Sequence, residues 1–104
     1  MIDIQKLEQR EINKGFKARL VHTQNNTLAF WDIEKGACLP LHSHIHEQVT
    51  QVLEGALELT VNGITAIYTP GQLVVIPSNV EHQGKAITNC KVLDIFAPVR
   101  EDFL

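Results

Sequence analysis

The sequence predicts an all-β domain, either a sandwich or a closed barrel. Three observations lead there. Apolar and polar residues alternate with a period of two along short segments. Gly, Pro and Asn clusters that favour turns separate those segments. Almost nowhere does an apolar stripe recur at the spacing of a helix. With 104 residues, 44% of them hydrophobic, the chain suffices for one domain with one core and is too short for two. An antiparallel barrel of this size has an interior that side chains fill or that holds one small ligand.

In chain order, residues 2–12 read as a short helix or an extended arm, with Ile4, Leu7 and Ile12 as its apolar positions. Gly15 breaks the segment. Phe16 to His22 alternates as a strand, and Gln24-Asn25-Asn26 turns the chain because Asn tolerates left-handed backbone. Leu28 to Ile33 returns, with Phe30 and Trp31 on opposite faces, and Glu34-Lys35-Gly36 turns again. After Pro40 a histidine strand is expected, with His42, His44, His46 and Gln48 on one face. It continues through Val49 to Leu53 and closes at Glu54-Gly55. Ala56 to Val61 and Ile64 to Tyr68 flank Asn62-Gly63, a two-residue hairpin turn. Leu73 to Ile76 is a short apolar strand after Thr69-Pro70-Gly71, and Pro77-Ser78-Asn79 leads to Glu81-His82. Lys91 to Phe96 is the last strand, followed by Pro98 and the polar residues Arg100-Glu101-Asp102.

The net charge of −3 and the absence of a basic run argue against a nucleic-acid partner. No stretch reaches the roughly 20 apolar residues that span a bilayer, and the first ten residues do not read as a signal peptide. Cys38 and Cys90 are far apart and form no Cys-x-x-Cys, which fits a reducing cytoplasm and a structural role. Cys38 also stands near the histidines, which keeps a ligand or redox role open for it.

Three of the five histidines, His42, His44 and His46, fall within five residues. Imidazoles crowded on one face make poor packing, because buried ring nitrogens need partners. One bound metal ion supplies a partner for several at once. Around them, Gly36, His42, His44, Gln48 and Gly55 keep the spacing Gly-x5-His-x-His-x3-Glu-x6-Gly, with Gln48 in place of Glu. Gly71, Pro77, Asn79, His82 and Ala86 keep the spacing Gly-x5-Pro-x-Gly-x2-His-x3-Asn, with Asn79 for Gly and Ala86 for Asn. On these two motifs, residues 36–55 and 71–86, the chain resembles the cupins. The resemblance implies one double-stranded β-helix, or jelly-roll barrel, over residues 1–104. It implies that His42, His44, Gln48 and His82 hold one divalent metal ion at the barrel mouth. Imidazole donors suit Zn, Ni, Fe, Mn or Cu alike. An amide where cupins usually place a carboxylate leaves the ion's full charge uncompensated, which favours polarising an oxygen over redox chemistry. His46 is expected to line the wall rather than to ligate, and Glu47 and Glu81 to face solvent or support the ligands.

The segment from Leu93 to Leu104, read with His42 to Val49, is similar to the pectin-degradation cupins of the KdgF type. That family converts 4,5-unsaturated monouronates, released from pectin or alginate, into linear keto sugars. The resemblance implies an enzyme with a sugar-acid substrate, in which Asp94, Phe96 and Arg100 act on the sugar. Asp94 would move a proton, Arg100 would hold the uronate carboxylate, and Phe96 would wall the ring. It also implies a homodimer. Two further readings share these residues: a metal-dependent dioxygenase of another small molecule, and a non-catalytic sugar-binding cupin. The structural alternative is that Asp94 pairs with Arg100 or another cation and that Phe96 belongs to the core.

Overall fold

The computed structural model describes all 104 residues. A one-turn 3-10 helix at Ile4–Lys6 precedes ten strands. These are β1 (Arg10–Asn13), β2 (Phe16–His22), β3 (Thr27–Ile33), β4 (Cys38–His42), β5 (Glu47–Glu54), β6 (Leu57–Val61), β7 (Ile64–Tyr68), β8 (Leu73–Ile76), β9 (His82–Ala86) and β10 (Cys90–Ala97). They form two antiparallel sheets, one ordered β1-β2-β3-β10-β5-β8 and the other β4-β9-β6-β7. A second 3-10 turn, Glu101–Phe103, ends the chain. No helix is long and apolar enough to cross a membrane.

Alternation decides which face each strand buries. In β3, Thr27, Ala29, Trp31 and Ile33 point inward while the residues between them are partly exposed. In β10 the inward set is Cys90, Val92, Asp94 and Phe96. Phe16 and Ala18 from β2, Val52 from β5, and Leu57 and Leu59 from β6 complete the core between the sheets. Trp31 meets the rings of Phe16 and Phe103 edge-on, with centroids 6.1 and 6.3 Å apart, an arrangement that the ring quadrupoles favour. Removing those apolar surfaces from water is the main stabilising term.

The turns follow their chemistry. Asn62 and Gly63 both have positive φ, 49° and 78°, as a two-residue hairpin of this hand requires. Asn79 takes φ 64°, so it does in the second motif what glycine does elsewhere. At Gly55 a Cβ would lie 2.2 Å from the carbonyl oxygen of Asn89, and φ is 85°, so only glycine closes this corner.

One expectation is corrected. The histidine segment is not one strand: β4 ends at His42, the chain bends through residues 43–46, and β5 begins at Glu47. The shared-face argument for His42, His44, His46 and Gln48 therefore fails across the bend. The N-terminal segment, expected as a short helix or an extended arm, holds the one-turn helix at Ile4–Lys6 and then β1, which pairs with β2 and forms the sheet edge.

Registry within the large sheet places the polar interior. Asp94 on β10 faces Thr50 on β5 and Ala29 on β3, and Phe96 faces Gln48. Outside, the same registry lines up Val21, Leu28, Ile95, Val49 and Val75 in one aliphatic row across five strands.

Candidate metal centre

His42 and His82 are cross-strand neighbours on β4 and β9, and their rings lie 4.1 Å apart. The bend after β4 swings His44 over them, 5.7 Å from His42 and 5.0 Å from His82. One ring nitrogen from each of His42, His44 and His82 falls within 4.8 Å of the others. The three rings are held alike: Nδ1 of His42 lies 2.7 Å from Pro40 O, that of His44 3.0 Å from His46 O, and that of His82 2.9 Å from Val80 O. A carbonyl only accepts, so each Nδ1 carries a proton, and in the neutral ring it is Nε2 that presents a lone pair. Backbone carbonyls holding the far nitrogen are the usual support of metal-ligating histidines.

The Nε2 of His82 is buried with no hydrogen-bond partner, an unusual state for a residue only 2% exposed. The Nε2 of His44 faces Gln48 Oε1 at 3.0 Å. Burial first, then the Arg100 and His82 charges, push the His44 imidazole down to about 4, and burial likewise lowers His82. Both rings are therefore neutral near pH 7. In His44 a nitrogen lone pair then points at an amide oxygen lone pair, a contact that a cation between them would turn from repulsive to favourable. An orphaned imidazole nitrogen and two opposed acceptors fit a divalent ion. His46 gives no nitrogen to this group, although its ring packs 5.3 Å from His44 and 6.4 Å from Phe96. Cys38 is exposed, its thiol donates to Gly36 O, and it is not part of the converging cluster.

A cavity of about 330 Å³ opens beside the cluster, with His42, Gln48, Asp94, Phe96 and Arg100 in its wall. Asn13 of β1 also lines it, a position with no sequence signal for such a place. Asp94 is buried; its Oδ1 accepts from Thr50 Oγ1 at 2.6 Å and its Oδ2 from Trp31 Nε1 at 2.9 Å. Burial raises its carboxyl to about 6, against the lowering by hydrogen bonds from Thr50, Trp31 and Gln48 and by the Arg100 charge. The expected alternative ion pair does not form, because Arg100 pairs with Asp102 through Nε at 3.0 Å and Nη2 at 2.7 Å. Its guanidinium lies 4.7 Å from the Phe96 ring centre and 4.0 Å from that of Phe103. The pairing occupies one edge of the fork and leaves the Nη1 end. Thr27 Oγ1 accepts from the backbone N of Arg100, and the Arg10 side chain donates to Phe103 O, so the segment that carries this arginine is tied to β3 and β1.

Comparison with known proteins adds the lineage. The family described as "Cupin domain" (Cupin_2) matches residues 29–96, more than half of the chain. The chain belongs to the cupin family. This cupin is 29% identical to the pectin degradation protein KdgF of Dickeya dadantii over 97 residues, covering 90% of this chain and 88% of that protein. Among solved structures it superposes on KdgF from Halomonas sp. with a TM-score of 0.94 at 25% identity, covering 100% of this chain and 97% of the other. An RmlC-like cupin from Shewanella frigidimarina gives a TM-score of 0.95 at 28% identity, with 100% and 95% covered. The family and the single jelly-roll barrel expected from the two motifs are thereby established.

Proposed function

We propose that this cupin opens the ring of 4,5-unsaturated monouronates and yields linear keto sugars, with one divalent ion held by His42, His44, Gln48 and His82. The observation that carries the reading is a buried carboxylate, Asp94, sharing one cavity wall with His42, one of three imidazoles whose ring nitrogens converge. The KdgF proteins similar to this chain supply the substrate class. When bound, the ion supplies a Lewis acid that polarises a sugar oxygen.

The chain's own residues do the rest. Arg100 binds the uronate carboxylate with the end of its fork that Asp102 leaves unused. Phe96, already stacked against Arg100, walls one face of the sugar ring. Asp94 takes the proton from the anomeric hydroxyl as the bond between the anomeric carbon and the ring oxygen breaks. The carbon becomes an aldehyde, and the ring oxygen keeps the electron pair as an enolate. Asp94 then returns the proton to the alkene carbon, leaving a ketone; no electron is gained or lost. A carboxyl raised to about 6 suits a group that must both take and give a proton near neutrality.

The test is to follow the ultraviolet absorbance of the unsaturated monouronate with purified protein, with and without chelator. Loss of absorbance under anaerobic conditions, stopped by chelator and restored by metal, supports the reading. Turnover only with oxygen would favour a dioxygenase, and binding without turnover a sugar-binding cupin. We also propose that two copies pair through the aliphatic row on the outer sheet face, and that the free thiols of Cys38 and Cys90 work in a reducing cytoplasm. Sedimentation showing only monomer would remove the pairing, and export of the chain would remove the location.

A further inference from the structure

Gln48 and Asp94 lie on different strands, β5 and β10. They share one neighbour. Thr50, 3% exposed on β5, sits between them: Gln48 Nε2 donates to its Oγ1 at 2.9 Å, and that hydroxyl donates to Asp94 Oδ1 at 2.6 Å. We propose that Thr50 is the positioning residue of the centre, turning the Gln48 amide oxygen toward the imidazoles and holding Asp94 in the same act. The proposal rests on the metal reading above and assigns a role to a residue that does not itself touch the ion.

Proton counting carries it. A hydroxyl has one proton to give. Asp94 receives on both oxygens, from Thr50 on one and from Trp31 Nε1 on the other. With its proton committed to Asp94, Thr50 can only accept from Gln48. An amide turned the other way would set Oε1 against an oxygen that has no proton left for it. The NH2 group must therefore face Thr50, and Oε1 must face His44, where it lies 3.0 Å from Nε2. A Glu at position 48 would need no such help, because its two oxygens are equivalent; an amide has a wrong side. Thr50 resolves that ambiguity, and its place opposite Asp94 in the sheet registry makes the same hydroxyl available to the carboxylate. A buried hydroxyl between two buried polar groups also leaves nothing unsatisfied, which fixes the arrangement more firmly than either contact alone.

Thr50→Val keeps the shape and removes the hydroxyl; Thr50→Ser keeps the hydroxyl. Chelator-stripped wild type and both variants are titrated with Zn²⁺ alone by calorimetry. The expected result is Zn²⁺ affinity at least ~10-fold weaker in Thr50→Val, in line with loss of a group that orients a metal ligand, and restored in Thr50→Ser. Equal affinity in wild type and Thr50→Val overturns the proposal while leaving the metal reading standing. A second measurement needs neither metal nor a variant. In the metal-free wild type, nuclear Overhauser contacts from the Gln48 side-chain NH2 are expected to reach Thr50 and not the His44 ring. Contacts to the His44 ring instead overturn the proposal even if no Zn²⁺ binds.

Discussion

Asp94 should cost the fold stability at neutral pH, and replacing it by Asn should reveal by how much. Its carboxyl rises from 3.8 to about 6 because burial penalises the charged form. At about 1.4 kcal/mol per pH unit, ionised Asp94 is ~3 kcal/mol less favourable in the folded chain than in the unfolded one. The folded state binds this proton more tightly, so acid favours folding through this group. The penalty is absent below about pH 4 and complete above about pH 6. His44 and His82 act in the opposite sense, since their lowered values make acid unfavourable. Asp94→Asn keeps both histidines, so the difference between the two proteins isolates the carboxylate. Urea unfolding of the chelator-stripped proteins, from about pH 4 to about pH 7, measures it. The stability of Asp94→Asn minus that of wild type should rise by ~3 kcal/mol across the range, while the variant loses turnover. A difference that stays flat would show that Asp94 ionises at its ordinary value, and the assignment of a neutral-range proton carrier would fall with it.

Two other outcomes follow from the geometry. Arg100→Ala should raise KM for the uronate by ~10-fold or more, and Arg100→Lys should not rescue it, because an ammonium cannot both pair with Asp102 and present a planar fork; steady-state kinetics would read this, and an unchanged KM in both would remove the carboxylate contact. Gly55→Ala should lower stability by ~2 kcal/mol or more, since a Cβ there meets Asn89 O at 2.2 Å with φ at 85°; a melting temperature equal to wild type would contradict the corner's close packing.

Much of the fold could be read from local pattern, because the strands that build it alternate. β3 and β10 bury every second residue as their sequences suggest, and Asn62-Gly63 turns as its residue types demand. His42, His44 and His82 could be read from spacing, since side-chain identity and glycine positions carry that information directly. The bend at residues 43–46 could not, because parity counts only along a continuous strand, and His46 leaves the cluster there. β9 also escaped notice: Gln83, Gly84 and Lys85 have no apolar alternation, and the segment is a strand because β4 and β6 pair with it on either side. At Gly84 a Cβ would come within 2.9 Å of Leu59, a reason for glycine that only the folded sheet shows. Trp31 and Thr50 were missed as partners of Asp94 because both contacts depend on which strands flank β10. Their only sequence trace is a polar residue, Thr50, at the inward parity of Gln48.

The proposed centre requires imidazoles from β4, the following bend and β9 to share one cation with the Gln48 amide. Crystals of protein loaded with Zn²⁺, measured on both sides of the zinc absorption edge, test this directly. The account predicts one anomalous peak per chain, bonded to Nε2 of His42, His44 and His82 and to Oε1 of Gln48. A peak elsewhere, or none with the three rings arranged as they are here, would contradict it.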